Sequence, residues 1–475
     1  MGIVFTVKSI QPVSKMKWRG IWSFINYKSS DCLEKGRTIM VITFIMAAMS
    51  HTKSYIKTWQ MEPIGIAQVA GLTPKDVTIR FYDDRVEEIN YDAPTDYVAI
   101  SMETYSAQRS YEIIEEYHKR GKKVIAGGFH ATLMTEEVLG HADCVIVGEA
   151  ENVWRELIED CRNKSLKRVY KSQGCPDLSG LFPDRSIFYN KHYMPIALIE
   201  SSRGCRFNCQ FCSIAAFYKK KCHYRPVEDV VKEVRESKNK TIFFIDDNIG
   251  SDAARAKDLF KQLVPLKIKW FSQISTICLD DEMVESMHKS GCLGVLIGFE
   301  SFNKANLGQM NKMWNVGLSR YEEILNRLTK NKIFVYGTFI FGYDQDDERT
   351  FEDALQFAIK NNFILAAFNH LMPFPGTPVY DAMRSRLIYD QWWLGNQCRF
   401  GDVIFEPKKI SAERLSELCY VYKKKFYSLP VMLKRAWGLR WCLLSHMGML
   451  GDFFKYNWIC SRETTQRRGF KIGKN

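Results

Sequence analysis

From residue 38 to about residue 370 the chain alternates short apolar runs rich in Val, Ile and Phe with longer stretches whose apolar positions recur every three or four residues. Runs of the first kind suit strands buried on both faces. Stretches of the second kind suit helices laid over them, so the alternation predicts parallel α/β architecture. Two series separate. In the first, MVITFIM, VTIRFYDD, YVAIS, KVIAGG and CVIVGE are the expected strands, with helices such as Ser110 to Arg120 between them. Five such strands make a doubly wound, Rossmann-like sheet with its ligand crevice at the carboxyl ends of the strands. Those ends read Ser101-Met102-Glu103-Thr104, Gly127-Gly128-Phe129-His130 and Gly148-Glu149-Ala150-Glu151, small or polar where a ligand would lie.

Mixed turns, SQGCPDLSGLFPDRS, interrupt the rhythm and place a linker at 172–190. The second series, 191–378, runs through PIALIESSRG, TIFFIDDN, WFSQIST, LGVLIGFES, IFVYGTFIFG and FILAAFNHLMPFPGTP. Six βα units predict a partial (β/α)6 barrel, with its chemistry again at the carboxyl ends of the strands. Beyond residue 378 the rhythm stops, and 379–475 is expected to be mostly helical, with one helix over Ser411 to Phe426.

Composition excludes several classes. With 46% hydrophobic and 25% charged residues in 475, the chain is expected to be globular, with two or three cored domains. Its fourteen cysteines do not follow a short secreted framework, and a reducing cytosol is the expected location. The longest apolar run, Thr38 to Met49, is too short to span a bilayer. The net charge of +13 sits at the ends: residues 1–38 carry +5, residues 431–475 carry +7, and the middle only +1. A balanced core without an aromatic-interleaved basic groove argues against a nucleic-acid partner.

The densest chemistry is CRFNCQFC, with Cys205, Cys209 and Cys212 in the loop after the first barrel strand. Iron–sulfur clusters and zinc both take thiolates, and a purely structural site takes four. Cys222, ten residues beyond Cys212, is the alternative fourth ligand. Three thiolates on a cubane of four irons instead leave one iron open, which separates a reactive metal site from a structural one.

The CxxxCxxC spacing, with Phe211 before the last cysteine, resembles the hallmark of the radical S-adenosylmethionine superfamily. The resemblance implies a 4Fe-4S cluster on Cys205, Cys209 and Cys212. Its open iron would chelate S-adenosylmethionine, and one electron from a donor such as flavodoxin or ferredoxin would yield a 5′-deoxyadenosyl radical. It also implies cofactor contacts at Phe211, at Asp246-Asp247-Asn248, at Gln273 and Ser275, at Glu300, and at Gly337, Gly342 and PFPGTP. Of these, Asp246 and Glu300 are the favoured acceptors, for the methionine ammonium and the ribose hydroxyls. A carboxylate at a strand end is otherwise a helix cap or a solvated turn.

The first series, 38–171, resembles the cobalamin-binding domain of one branch of that superfamily, through PTDYVAISMETYSAQRSYEI, GGFHATLMTEE and VIVGEAENVW. Ser101, Thr104, Gly127, Gly128, His130 and Gly148 are then the candidate cobalamin contacts. The DxHxxG motif of the wider cobalamin-binding group is absent, and His130 is the histidine best placed to approach the cobalt; its alternative role is a hydrogen-bonded structural residue. Residues 1–37 have no counterpart and form an N-terminal extension.

The two resemblances together imply a cobalamin-dependent methyltransferase acting on an unactivated carbon of a hydrophobic small molecule, such as a polycyclic lipid or a natural-product scaffold. Radical cyclisation or oxygenation of a tetrapyrrole is the alternative within enzymes, and a non-catalytic cobalamin sensor the alternative outside them. No nucleophile elbow, P-loop or metalloprotease helix offers another chemistry. The stretch MLKRAWGLRWCLLSHMGMLGDFFKYNW mixes Trp, Leu and basic residues. It reads as an interfacial helix in peripheral contact with a membrane, or as a helix packed on the protein with a basic outer face.

Overall fold

The computed structural model describes residues 40–50, 60–314, 318–395, 397–445 and 448–470. The expected N-terminal extension, 1–37, lies outside them.

Two six-stranded parallel sheets organise these residues. The first has the order β2-β1-β3-β4-β5-β6, with β1 Met40–Met46, β2 Val77–Asp83, β3 Tyr97–Ser101, β4 Lys123–Gly127, β5 Cys144–Val147 and β6 Val169–Lys171. Five of these are the expected apolar runs. The edge strand β6 was not expected: a three-residue strand, VYK, carries no readable period, and it forms because Val145 to Val147 offer a free parallel edge to Val169 to Lys171. The strand order reverses direction beside β1, so the crevice of a doubly wound sheet opens there. Among the helices covering it is Ala107–His118, which begins three residues before the expected start.

The second sheet has the order β14-β13-β12-β11-β10-β7. Its members are β7 Ala197–Ile199, β10 Thr241–Phe244, β11 Lys269–Gln273, β12 Cys292–Glu300, β13 Phe334–Phe341 and β14 Leu365–His370. This is the expected six-unit partial barrel. A separate antiparallel pair, β8 Ser202–Gly204 and β9 Cys222–Tyr224, closes a loop and helix between them and was not expected. One continuous apolar cluster joins the inner face of the first sheet to the barrel core.

After β14 the chain is helical. Ser411 caps Ala412–Phe426 by accepting from the Arg414 amide, as the sequence anticipates. The helices Leu429–Gly438, Arg440–Ser445 and Met449–Arg467 follow, and Met432, Ala436, Leu443 and Phe453 bury Phe334 at the start of β13. No helix among the described residues is long and apolar enough to cross a membrane.

Candidate active site

The β8–β9 pair fixes both ends of the cysteine segment. Gly204 pairs with Cys222, and its φ of +78° with the Lys221 carbonyl oxygen 2.1 Å from where a Cβ would stand admits only glycine. Cys205, Cys209 and Cys212 then lie on one short, half-buried loop, all as free thiols. The loop is strapped from outside. Gln210 N donates to Met310 O at 3.0 Å, Val379 N to Gln210 O at 3.1 Å, and Phe207 stacks on Trp314 at 4.5 Å.

Burial raises all three thiol pKa values, that of Cys209 up to about 12. Nearby groups oppose this: Lys312 favours the Cys209 thiolate, and the Ala215 and Ile214 amides favour that of Cys212. The thiols feel one another's charge. Ligands of one ion crowd about one centre, and among the described residues no three His, Cys, Asp or Glu do so; thiolates on separate corners of a cubane need not. Cys222 stands beyond Gly204, close enough to Cys205 for their charges to interact.

Around the loop the barrel strand ends supply polar atoms with spare capacity. Glu300 ends β12 at a register shift, with a left-handed φ of 62° that a non-glycine residue holds only when its surroundings compel it. Lys312 compels it: buried Nζ donates to Glu300 Oε1 at 2.8 Å and to Gly298 O at 3.0 Å. The second oxygen, Oε2, is buried with no hydrogen-bond partner. Asn248 Oδ1 accepts from Ser275 N. Its Nδ2, near enough to the Cys205 and Cys278 thiols to favour their ionised forms, meets no acceptor at full hydrogen-bond geometry. Asp247, raised by burial to about 6, accepts from Gly204 N and faces Cys205 and Cys212. Buried donors and acceptors left open in this way fit a polar small molecule bound beside a thiolate-held cluster.

The structure treats the other expected contacts unequally. Asp246 is fully buried and already engaged: it accepts from Ser201 N, Ser201 Oγ and Ser202 Oγ at 2.5–2.7 Å. It thus ties β10 to the β7–β8 turn, and Asp247 takes the position toward the cysteines. Gln273 ends β11, where its carbonyl oxygen accepts from Ile249 N.

Ser101, Gly127, Gly128 and Gly148 come together at the carboxyl ends of β3, β4 and β5, lining a cavity of about 440 Å³. Gly128 has a φ of +100°, and a Cβ there would stand 2.7 Å from Met102 O, so the backbone forms a bare ledge. Across from it are Glu200, Arg203, Phe217 and Tyr218 of the barrel. Arg203, almost wholly buried, pairs with Glu149, Glu151 and Glu200 at 2.7–3.1 Å. Bare glycine backbone, apolar strand ends and ordered carboxylates fit a large ring carrying peripheral amides.

Thr104 and His130 do not reach the lining. Thr104 opens a 3-10 turn. His130 is buried, its Nε2 3.1 Å from Glu137 Oε1 and 3.3 Å from Tyr111 Oη, and Glu137 also accepts from Trp393 Nε1. Burial would raise the Glu137 pKa, but its three donors outweigh it and hold the carboxyl lower. His130 therefore takes its alternative role: it helps dock Trp393 against the first sheet. No imidazole lines this cavity among the described residues.

A second cavity, of about 590 Å³, lies at the carboxyl ends of β13 and β14. Phe211 connects it to the cysteine loop and Tyr105 to the first sheet. Phe368, Phe374 and Phe400 make aromatic walls, and Lys423 and Arg468 add positive charge. Sequence reasoning missed Arg203, Lys312 and His370, which also lines this cavity. Arg203 had a signal, its place two residues before Cys205, and His370 had one in its place at the carboxyl end of the last barrel strand; Lys312 had none.

A family model described as the radical SAM superfamily matches residues 199–358, and one described as a B12 binding domain matches residues 59–158. The chain is similar to the bacteriochlorophyllide d C-12(1)-methyltransferase of Chlorobaculum tepidum, 34% identical over 80% of this chain and 86% of that protein. It is also similar to the bacteriochlorophyllide d C-8(2)-methyltransferase of the same organism, 30% identical over 70% of this chain and 78% of that protein. Its fold resembles that of the cobalamin-dependent S-adenosylmethionine radical enzyme OxsB with aqua-cobalamin and S-adenosylmethionine bound. That match has a TM-score of 0.62 and 13% identity, over 90% of this chain and 72% of that one.

Proposed function

This chain belongs to the radical SAM superfamily, in its branch of cobalamin-dependent methyltransferases, and on that premise we propose that its substrate is a tetrapyrrole-like macrocycle, methylated at an unactivated carbon. The observation that carries the reading is the 34% identity to a bacteriochlorophyllide d methyltransferase across 86% of that protein. An aromatic-walled cavity with cationic Lys423 and Arg468 suits a flat, apolar ring bearing a carboxylate.

When bound, the cluster with S-adenosylmethionine supplies a hydrogen-abstracting radical, and the cobalamin supplies the methyl group. On this reading residues 38–171 hold the cobalamin and 191–378 the cluster. Cys205, Cys209 and Cys212 hold three irons, and Phe211 shields the reactive volume from water. The open Glu300 Oε2 accepts from ribose hydroxyls, and Asp247 serves the methionine ammonium. Ser101, Gly127, Gly128 and Gly148 let the corrin approach the backbone. The electron comes from an external carrier of flavodoxin or ferredoxin type.

Glu300→Gln is expected to raise the KM for S-adenosylmethionine about 10-fold, the worth of one hydrogen bond to a charged group. Steady-state cleavage assays check it, and an unchanged KM removes Glu300 from the cofactor site. To test the substrate, the reconstituted enzyme is supplied anaerobically with a magnesium chlorin or with a pentacyclic lipid. Mass spectrometry should show the chlorin, not the lipid, gaining a methyl group; the reverse result overturns the tetrapyrrole reading.

We further propose a cytoplasmic protein in peripheral contact with an anionic membrane surface. Leu429, Leu433, Trp437, Trp441 and Leu444 form an exposed stripe, the two tryptophans 71% and 70% exposed. Arg440 lies over both indole rings, and the stretch 429–445 holds no acidic residue. Tryptophan and leucine flanked only by cations suit anionic headgroups. The double variant Trp437→Ser/Trp441→Ser should lose most of its sedimentation with phosphatidylglycerol vesicles while keeping its melting temperature. Equal sedimentation of variant and parent contradicts the contact.

A further inference from the structure

His370, the last residue of β14, is the one imidazole on the lining of the 590 Å³ cavity among the described residues. Its Nδ1 lies 3.1 Å from the carbonyl oxygen of Leu371. A carbonyl only accepts, so Nδ1 carries the proton and Nε2 keeps its lone pair. Burial holds the ring's pKa below its ordinary value, more strongly than the Leu371 carbonyl raises it, which keeps the imidazole neutral. No hydrogen bond engages Nε2 among the described residues. A neutral imidazole with one nitrogen tied to a backbone carbonyl and the other bare is the state in which histidine ligates metals.

A free ion needs several ligands, and the lining offers no second imidazole and a single carboxylate, Glu463. A metal that arrives inside a macrocycle already has four in-plane ligands and needs only one more. The cavity walls have the matching character, aromatic on their faces and cationic toward Lys423 and Arg468. We propose that His370 Nε2 is the axial ligand to the magnesium of a tetrapyrrole substrate, setting the height and tilt of the ring against the cysteine loop. This rests on the tetrapyrrole reading above. It would make the enzyme select metallated over metal-free macrocycles.

The test uses the full-length protein with two probes, magnesium protoporphyrin IX and metal-free protoporphyrin IX, titrated by fluorescence and absorption. The parent protein should bind the magnesium form at least about 10-fold more tightly and shift its Soret band, since even disturbing the groups that orient a metal's ligands commonly costs about 10-fold. His370→Ala should lose that preference and the shift while binding the metal-free ring as before, and added imidazole should restore the shift. His370→Leu, which fills similar space without a ligating atom, guards against a packing artefact and should behave as the alanine variant does. Should both variants weaken the two probes equally, or the parent show no preference, the ligation is wrong and the substrate reading stands. If the parent binds neither probe, the tetrapyrrole reading fails first and takes the ligand role with it.

Discussion

Cys209→Ala should abolish the broad iron–sulfur absorption of the anaerobically reconstituted protein and, with it, all formation of 5′-deoxyadenosine. Three thiolates already leave one iron to a small molecule, and two leave too few anchors to retain the cubane. The loop itself should survive the change, because Gln210, Phe207 and Val379 strap it through contacts that do not involve sulfur. Circular dichroism should therefore match the parent. Cys222→Ala supplies the contrast. If Cys222 only closes the β8–β9 pair, its loss leaves the cluster in place; if it is a fourth ligand, its loss destroys the cluster as surely as that of Cys209. Assembly should also depend on pH in a defined sense. Burial keeps the thiols protonated at neutral pH, with the Cys209 pKa up to about 12, so binding iron must release protons. Cluster affinity should rise as the pH is raised from neutral, and titrating cluster content against pH reads that slope directly.

Arg435→Leu should be the most destabilising single change in the helical region, costing about 4 kcal/mol in urea unfolding. Arg435 is fully buried, with no carboxylate among its hydrogen-bond partners. Its guanidinium donates to the carbonyl oxygens of Phe363, Ile364 and Phe426 and to Asn457 Oδ1, and lies 3.8 Å over the Phe426 ring. Burial lowers its pKa to about 10, so it remains charged at neutral pH. Leucine fills similar space but takes the guanidinium donor from the Phe363 and Phe426 carbonyl oxygens and from Asn457 Oδ1, while Ile364 O keeps the Asn457 Nδ2 donor, and hydrogen bonds to charged groups are worth about 1.5–3 kcal/mol each before relaxation. The same helices carry Cys419, Lys423 and Glu463 into the second cavity, so the variant should lose macrocycle binding well before it loses the barrel. A loss below about 1 kcal/mol would mean that water replaces the guanidinium, and that the helices are held by apolar packing instead.

Long buried strands were legible because their apolar runs exceed anything a surface segment tolerates, and the cysteine loop because its spacing is chemical. The helix at Ala412–Phe426 was legible through its cap, Ser411. What the sequence concealed shares one property: it depends on a partner far along the chain. The strands β6, β8 and β9 have three residues each, too few to show a period, and exist because a neighbouring edge awaits them. Asp246 and Asp247 are indistinguishable as letters at a strand end. Two serines across the β7–β8 turn consume the first and leave the second facing the thiols. Glu300 was legible as a strand-end acid, whereas its left-handed backbone and its counter-charge, Lys312, follow only from the bend in β12. His130 sits in a glycine-rich turn of suggestive sequence, yet Tyr111, Glu137 and Trp393 claim it from three separate segments.

The proposed reaction needs two cofactor sites to serve one substrate cavity. The most direct measurement is an anaerobic reaction, with a low-potential one-electron reductant supplied, of a magnesium chlorin and S-adenosylmethionine whose methyl group carries deuterium, counting both products. The predicted result is one intact deuterated methyl group on the ring for each 5′-deoxyadenosine released, and neither product without cobalamin. Methyl transfer without 5′-deoxyadenosine, or 5′-deoxyadenosine with an unmethylated ring, would contradict it.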